Sequence, residues 1–184
     1  MRAGPGHNGG PALGPGLGWQ RHCWTKARAD LLPHLPLEVL RGRVRRAQDL
    51  GLDYKTYASV RAATGHDVLA FLFSSNALRV FAPAPEVPQD RALKLASVQA
   101  GRIGLAQGRL QVADLAAAAG GLLEAAHPAP QPLATFSAAR DRLRAALGPL
   151  PGDRVILVGD MEREWCAAGR LAAYLPAERF FCAG

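Results

Sequence analysis

The segment DRVILVGD, residues 153–160, is the clearest β-strand in the sequence. Four consecutive apolar residues are bounded by polar ones, a pattern typical of a short strand that is buried on both faces. Helical segments flank it on both sides. TFSAARDRLRAAL, residues 135–147, begins with Thr135 or Ser137 as a cap, and MEREWCAAGRLAAYL, residues 161–175, follows the strand. This helix–strand–helix order predicts an α/β fold.

A second strand is predicted earlier in the chain, at DVLAFLF, residues 67–73. The segment is short, apolar and bounded by Gly and Ser/Asn, although a short buried helix has the same pattern. Residues 89–126 are predicted to be helical, in one or two helices weakened by glycines. The expected fold is therefore α/β and mostly helical, with a helix-turn-helix-like N-terminal half and a small α/β C-terminal half with few strands. The sequence leaves open whether the two strands share one sheet.

The N-terminal half contains the most regular helical stretch, EVLRGRVRRAQDLGLDYKTYASVRAATG, residues 38–65. Apolar residues repeat there at the helical period, at Leu37, Leu40, Val44 and Ala47. Gly51 is expected to end this first helix, and Asp53 to cap a second one over residues 54–63.

The spacing around Gly51 is similar to that of a helix-turn-helix unit. Ala47 precedes the glycine by four positions, where a small residue lets the second helix pack closely, and Val60 follows it by nine. The pattern departs from that unit at Arg46, where an apolar residue is usual, and at the bulky Tyr57. We therefore predict a helix-turn-helix-like element.

The positive charge is concentrated in the first half of the chain. The formal net charge is +7; residues 1–79 carry 11 basic and 5 acidic side chains, and residues 80–184 carry 11 and 10. Arginine dominates the basic residues, as GC-rich coding also produces, so the total charge is weak support for any partner. Coding bias acts on both halves, however, so the asymmetry favours a polyanionic partner: nucleic acid, or an acidic protein.

One face of the second helix carries residue types that contact nucleic acids. At about 100° per residue, Tyr54, Tyr57 and Arg61 share a face opposite Val60 and Ala63, and we expect that face to point outward. Aromatic rings stack on bases and guanidinium groups bind phosphates. The predicted nucleic-acid-binding residues are Arg41, Arg43, Arg45, Arg46, Tyr54, Lys55, Tyr57 and Arg61. The alternative is a helical hairpin with solvated arginines and with the tyrosines in the core.

A second candidate site follows the two predicted strands. If the strands are parallel neighbours, Ser74, Ser75 and Asn76 lie beside Asp160 at their carboxyl ends, where open α/β sheets bind ligands. Serines can bind phosphate, and Asp160 can bind a ribose hydroxyl or a metal. The alternative is that these residues only cap the following helices. The first functional hypothesis is a non-enzymatic nucleic-acid-binding or regulatory accessory protein that uses the basic helices. The second is a small enzyme or a nucleotide- or phosphate-binding domain that uses this site, and the third is a protein–protein adaptor with a basic face.

The chain is expected to divide into segments at its Gly- and Pro-rich stretches. Residues 1–18 are predicted to form a disordered tail, 19–82 a basic helical segment with one strand, and 83–90 a Pro-rich connector. Residues 91–184 then form a helical α/β segment, which can pack as one domain with 19–82.

Other functional classes find little support in the sequence. Cys23, Cys166 and Cys182 form no close pair, so we predict no disulfide framework and a cytoplasmic setting. The apolar runs are too short for a membrane span, and we predict none. His22, Cys23 and His34 lack a fourth zinc ligand nearby. A formal G-x-G-x-x-G at residues 4–9 follows no strand, and no catalytic motif names a reaction. No metal and no cofactor are predicted, and whether the chain is an enzyme stays open.

Overall fold

The computed structural model describes residues 35–182 of the chain. The predicted tail at 1–18, the G-x-G-x-x-G and the zinc candidates all lie outside these residues. Contacts between Cα atoms divide the chain into two compact units, 1–40 and 41–184. Of the first unit only residues 35–40 are described, which contain the start of the first helix, and the account below concerns the second unit.

The described residues form eight α-helices and five β-strands. The helices are α1 (Leu37–Asp49), α2 (Tyr54–Thr64), α3 (Ser75–Leu78), α4 (Gln89–Ser97), α5 (Val112–Ala119), α6 (Phe136–Leu147), α7 (Arg163–Gly169) and α8 (Ala177–Phe181). The strands are β1 (Ala70–Ser74), β2 (Gly101–Ala106), β3 (Ala125–Pro128), β4 (Val155–Gly159) and β5 (Ala173–Pro176). The predicted α/β, mostly helical fold class is confirmed, and within the described residues no helix is long and apolar enough to span a membrane.

All five strands form one parallel sheet in the order β3-β2-β1-β4-β5. Both predicted strands lie in this sheet as direct neighbours, with Phe73 of β1 opposite Val158 of β4. The sheet therefore takes strands from both sides of the Pro-rich residues 83–90. The domain boundary expected there stays a prediction.

Helices cover both faces of the sheet. Phe71 and Phe73 of β1 point into one core with residues of α1 to α5 and α8, whereas Ala70 and Leu72 point into a second core with α6 and α7. The alternation follows from the two-residue repeat of a strand, and burial on both sides explains why these strands read as continuous apolar runs.

Three strands were not expected from the sequence. The helix predicted over residues 89–126 is wrong at β2 and β3, and the helix predicted over 161–175 is wrong at β5. Gly104 shows the physical reason in β2: a Cβ there would lie 2.6 Å from Leu123 Cδ1 and 3.0 Å from Leu115 Cδ2. The side chains of Leu115 and Leu123 approach the strand closely at this position, and the glycine that accommodates them weakens the strand pattern in the sequence.

The helices α1 and α2 are present with the expected turn between them. Gly51 has a φ of 66°, and the Asp53 side chain accepts a hydrogen bond from the backbone N–H of Thr56 at 2.9 Å, which caps α2. Of the expected apolar stripe on α1, Ala47 is buried and Val44 half-buried, whereas Leu37 is exposed. The stripe is thus a core surface only towards the end of the helix.

Candidate ligand site at the carboxyl edge of the sheet

The order of the strands creates a crevice between the carboxyl ends of β1 and β4. From β1 the chain proceeds outward to β2 and β3 through α4 and α5, and it then returns to β4 and β5 through α6 and α7 on the opposite face. The connections leave β1 and β4 towards opposite faces of the sheet. In open α/β sheets such a reversal is where ligands bind.

Ser74 and Ser75 lie at this edge but serve the protein's own backbone. Ser74 is buried, and its Oγ accepts a hydrogen bond from the N–H of Ala77 at 3.1 Å, which caps α3. The Oγ of Ser75 accepts from the N–H of Gln107, after β2, at 3.2 Å. Both serines therefore fix the loops around the crevice.

Asn76 joins the loops that follow three strands. Its side-chain amide donates to Glu162 Oε1 at 3.2 Å, and its backbone N–H donates to Gln107 Oε1 at 3.4 Å. Asn76 itself follows β1, Glu162 follows β4 and Gln107 follows β2. This one residue therefore sets the spacing of the three loops.

Glu162 is the centre of the β4 loop. It is buried, and its Oε2 accepts hydrogen bonds from the backbone N–H groups of Asp160 at 2.8 Å and Met161 at 3.0 Å. A Cβ at Gly159 would lie 2.4 Å from the same oxygen, so the loop requires glycine there. The role of Glu162 as an acceptor could not be predicted from the sequence, because it depends on the geometry of the loop.

Two further side chains border this loop. The Tyr174 hydroxyl donates to the carbonyl oxygen of Gly159 at 2.9 Å. Burial, followed by the carboxylates of Glu162 and Asp160, raises the pKa of Tyr174 above its usual range. Asp160 is the acidic residue among those predicted for this site, and its side chain is exposed to solvent.

Arg91 is a buried charged residue that no pattern in the sequence predicts. It lies in the first turn of α4, is only 4% exposed, and holds its guanidinium carbon 4.4 Å above the ring of Phe181. Burial lowers the pKa of Arg91, the charge of Arg79 lowers it further, and Asp90 and Asp160 oppose both effects. The Phe181 ring under Arg91 lies with its centroid 6.2 Å from that of Phe73, so Arg91 lies near the carboxyl end of β1.

A pocket of about 360 Å³ opens next to Asn76. Its polar lining comes from side chains that follow β1 and β2, and its apolar lining includes Phe81, which is 54% exposed. The lining residues are Ser75, Asn76, Val80, Phe81, Ala82, Gln107, Gly108, Arg109, Leu110 and Pro132. Ser75 and Asn76 were predicted from the sequence. The residues from Gln107 to Leu110 were not, because β2 was not recognised as a strand.

The predicted outward aromatic face of α2 is not formed. Tyr57 is 2% exposed, and its hydroxyl donates to Asp67 Oδ1 at 2.9 Å. Tyr54 and Arg61 are half-buried. The prediction that Tyr57 points outward is therefore wrong: the helix turns that face into the core together with Val60.

The arginines of α1 have different environments. Arg46 donates to Asp67 Oδ2 at 3.0 Å, to the Val68 carbonyl at 2.9 Å and to the Gln99 carbonyl at 3.1 Å. It connects α1 to the segments that precede β1 and β2, a structural role. Of the remaining predicted contacts, Arg41, Arg45 and Lys55 are exposed and Arg43 is half-buried.

Comparison with known proteins adds no family or functional assignment. No family model matches the chain, and no curated protein and no solved structure is significantly similar to it. Across residues 35–182, no cluster of three or more His, Cys, Asp or Glu residues could hold a metal ion.

Proposed function

We propose that the protein binds a small nucleotide-class ligand in the pocket beside Asn76. The observation that carries this proposal is the position of the pocket: it opens at the carboxyl edge of a parallel sheet, between the loops that follow β1 and β2. Ligands of open α/β sheets bind outside this edge at the reversal of strand order, here between β1 and β4, and Asn76 connects the pocket to the β4 loop at that reversal. A volume of about 360 Å³ lies in the lower part of the range of roughly 300–1,000 Å³ that is usual for small-molecule sites.

The lining supports a ligand that has both a planar ring and an anionic group. Phe81 exposes its ring at the pocket, where it can stack on a base. Arg109 is exposed at the same pocket and can bind a phosphate through paired N–H groups. The Asn76 amide nitrogen and the Gln107 amide oxygen bind within the protein, so the Asn76 Oδ1 and the Gln107 Nε2 are the atoms that can accept from or donate to a base or a sugar hydroxyl.

Thermal unfolding with nucleosides and nucleoside monophosphates tests this proposal. A ligand at about a hundred times its Kd stabilises the folded state by about 2.7 kcal/mol, so a binder raises the Tm measurably. We expect nucleotides to raise the Tm of the unmodified chain more than their nucleosides do. We expect Phe81→Ala to weaken both responses and Arg109→Ala to remove the difference between them.

Arg142→Ala is the matched control, because Arg142 is an exposed arginine on α6, which packs on the opposite face of the sheet. It should leave both responses unchanged. The proposal is overturned if no nucleotide or nucleoside shifts the Tm of the unmodified chain, or if Phe81→Ala and Arg109→Ala respond as the unmodified chain does.

Nucleic-acid binding through α1 is the second candidate function. It is supported by Arg41 and Arg45, both exposed and one helical turn apart, and by exposed Lys55 at the start of α2. An acidic protein partner would bind the same three side chains. The expected cytoplasmic setting belongs to this proposal and is supported by Cys166 and Cys182, both free thiols.

Binding of labelled duplex and single-stranded DNA at low salt, about 50 mM, tests this second candidate. The variant is Arg41→Glu with Arg43→Glu and Arg45→Glu, and it keeps Arg46 because that side chain holds the fold together. We expect the unmodified chain to bind with a steep salt dependence and the variant to lose binding. Failure of the unmodified chain to bind either DNA would remove this candidate without affecting the nucleotide proposal.

A further inference from the structure

Arg91 is a buried cation whose hydrogen-bonding capacity is largely unused. Its Nε and Nη1 atoms are inaccessible to solvent and have no hydrogen-bond partner. A buried polar group without a partner is destabilising, and a charged one more so, so native structures rarely retain one without a reason. The ring of Phe181 stabilises the cation from one side but accepts no conventional hydrogen bond from it.

Other arginines in the described part of the chain show what a partnered guanidinium looks like here. Arg46 donates through three nitrogens to three acceptors. Arg102 also has a buried Nε without a partner, but its Nη1 donates to the Leu95 and Val98 carbonyls and its Nη2 lies 3.7 Å from Glu124. In Arg91 two nitrogens lack partners.

The position of Arg91 connects it with the crevice at the ends of β1 and β4. Its guanidinium lies over the ring of Phe181, whose centroid is 6.2 Å from that of Phe73 at the carboxyl end of β1. The charges of Asp160, directly after β4, and of Arg79, directly after α3, also act on it. Asp90 also acts on it from the same helix. Both aspartates are exposed, so solvent screens their charges, and neither supplies an acceptor to Nε or Nη1.

We propose that Arg91 is the recognition residue of a subsite for a small oxyanion, a phosphate or a carboxylate, in the crevice between β1 and β4. The Nη1 atom carries two N–H groups without a partner, and these can donate charge-assisted hydrogen bonds to an oxygen of either anion. Arg79 supplies a second positive charge, and exposed Asp160 can accept a hydrogen bond from a hydroxyl of the same ligand. The subsite does not use Phe81 or Arg109, so it stands or fails independently of the nucleotide pocket.

A substitution by methionine separates this role from a structural one. Arg91→Met keeps an unbranched side chain against Phe181 and removes the unpartnered charge. We expect its Tm in anion-free buffer to equal or exceed that of the unmodified chain. Arg46→Met is the matched control: it removes an arginine whose donors are satisfied, so its Tm should fall.

Anion titrations of the full chain then test the subsite directly. The probes are inorganic phosphate and acetate against chloride at equal ionic strength, followed by Tm and by calorimetry. We expect phosphate or acetate to raise the Tm of the unmodified chain. We expect Arg91→Met to weaken the affinity for that anion by roughly tenfold or more, the effect of losing a charge-assisted hydrogen bond. Arg46→Met should keep the anion response despite its lower Tm.

The two probes identify the source of the oxyanion, since a response to phosphate alone indicates a phosphorylated ligand and a response to acetate alone indicates a carboxylate. The inference is overturned if neither anion acts on the unmodified chain, if Arg91→Met keeps the full response, or if Arg91→Met lowers the Tm as Arg46→Met does. Nucleotide binding at Phe81 and Arg109 can persist in each of these cases, so the two proposals fail separately.

Discussion

The side-chain amide of Asn76 donates a hydrogen bond to Glu162 Oε1 at 3.2 Å, across the carboxyl ends of β1 and β4. Because Glu162 also accepts two backbone N–H groups through its other oxygen, this one contact joins the α3 turn to the whole β4 loop. The geometry of the crevice therefore depends on a carboxylate that is itself buried and points away from solvent.

Glu162→Gln should destabilise the fold and loosen the crevice. A carboxylate accepts at both oxygens, whereas an amide presents N–H donors on one side, facing either Asn76 or the two backbone N–H groups. We expect a loss of about 2 kcal/mol in the free energy of unfolding, measured by urea denaturation. Glu164→Gln, at an exposed position on α7, is the control and should change stability by less than about 0.5 kcal/mol. Equal effects of the two substitutions would contradict the role given to Glu162.

Alanine at Gly159 should disturb the same loop by steric contact. Its Cβ would lie 2.4 Å from Glu162 Oε2 and 3.2 Å from the Tyr174 ring, so the carboxylate must leave its position. We expect Gly159→Ala to lower the free energy of unfolding by about 2 kcal/mol or more.

Gly42→Ala provides the opposite case. Gly42 lies inside α1, and beyond the backbone of its own helix no atom lies within 4 Å of the position that a Cβ would take. Alanine there should raise the stability by about 1 kcal/mol through its higher helix propensity. Chemical denaturation measures the free energy of unfolding of both variants. A stabilising effect of Gly159→Ala would show that the β4 loop is not tightly packed.

Stability above neutral pH should depend on Tyr57. Burial, then the hydrogen bond to Asp67, raise the pKa of Tyr57 above its usual value of about 10. The folded state thus favours the neutral phenol of Tyr57. The contribution of this phenol to the free energy of unfolding is complete below about pH 10, and it is lost as the pH rises from there through the pKa of the folded state. We expect the unmodified chain to lose more stability than Tyr57→Phe between about pH 9 and about pH 11.

Urea unfolding at each pH measures this difference, and groups common to both proteins cancel from it. Tyr54→Phe, on the same helix, is the control. Its free energy of unfolding should change with pH by the same slope as that of the unmodified chain. A slope unchanged by Tyr57→Phe would mean that the phenol does not couple to folding.

The cap of α2 should account for part of the stability at neutral pH. Hydrogen bonds from Thr56, first from its side chain and then from its backbone, lower the pKa of Asp53. The folded state favours the ionised carboxylate of Asp53. Its contribution to the free energy of unfolding is therefore present above about pH 4, and it is lost as the pH falls through the pKa of the folded state. Asp53→Ala should cost about 1 kcal/mol at pH 7 and less in acid. Gln111→Ala is the control, because Gln111 holds the same position before α5 without a side-chain cap bond; an equal cost at both sites would contradict the capping role.

Local signals in the sequence were sufficient for several elements. The apolar runs of β1 and β4 are long enough to stand out, and Asp53, Gly51 and Thr135 mark helix ends through interactions within a few residues. The meeting of Asn76 with the β4 loop could be expected on the condition that the two strands are neighbours. Their adjacency itself required the structure.

The remaining elements depend on contacts that are distant in sequence. Strands β3 and β5 have four residues each, lie at the edges of the sheet and are only partly buried, so they carry no continuous apolar run like those of β1 and β4. Periodicity places Tyr57 on a face of α2, but it does not say which face packs on the sheet.

The sequence by itself determined the α/β class, two strands and the helix caps, because hydrophobic runs and capping side chains act over a few neighbouring residues. Only the tertiary structure decided that Tyr57 and Arg46 are structural, that Glu162 organises the crevice and that Arg91 is buried with unpartnered donors. These properties arise when residues far apart in the chain exclude water from one another, and that exclusion is set by the packing of the whole sheet and its helices.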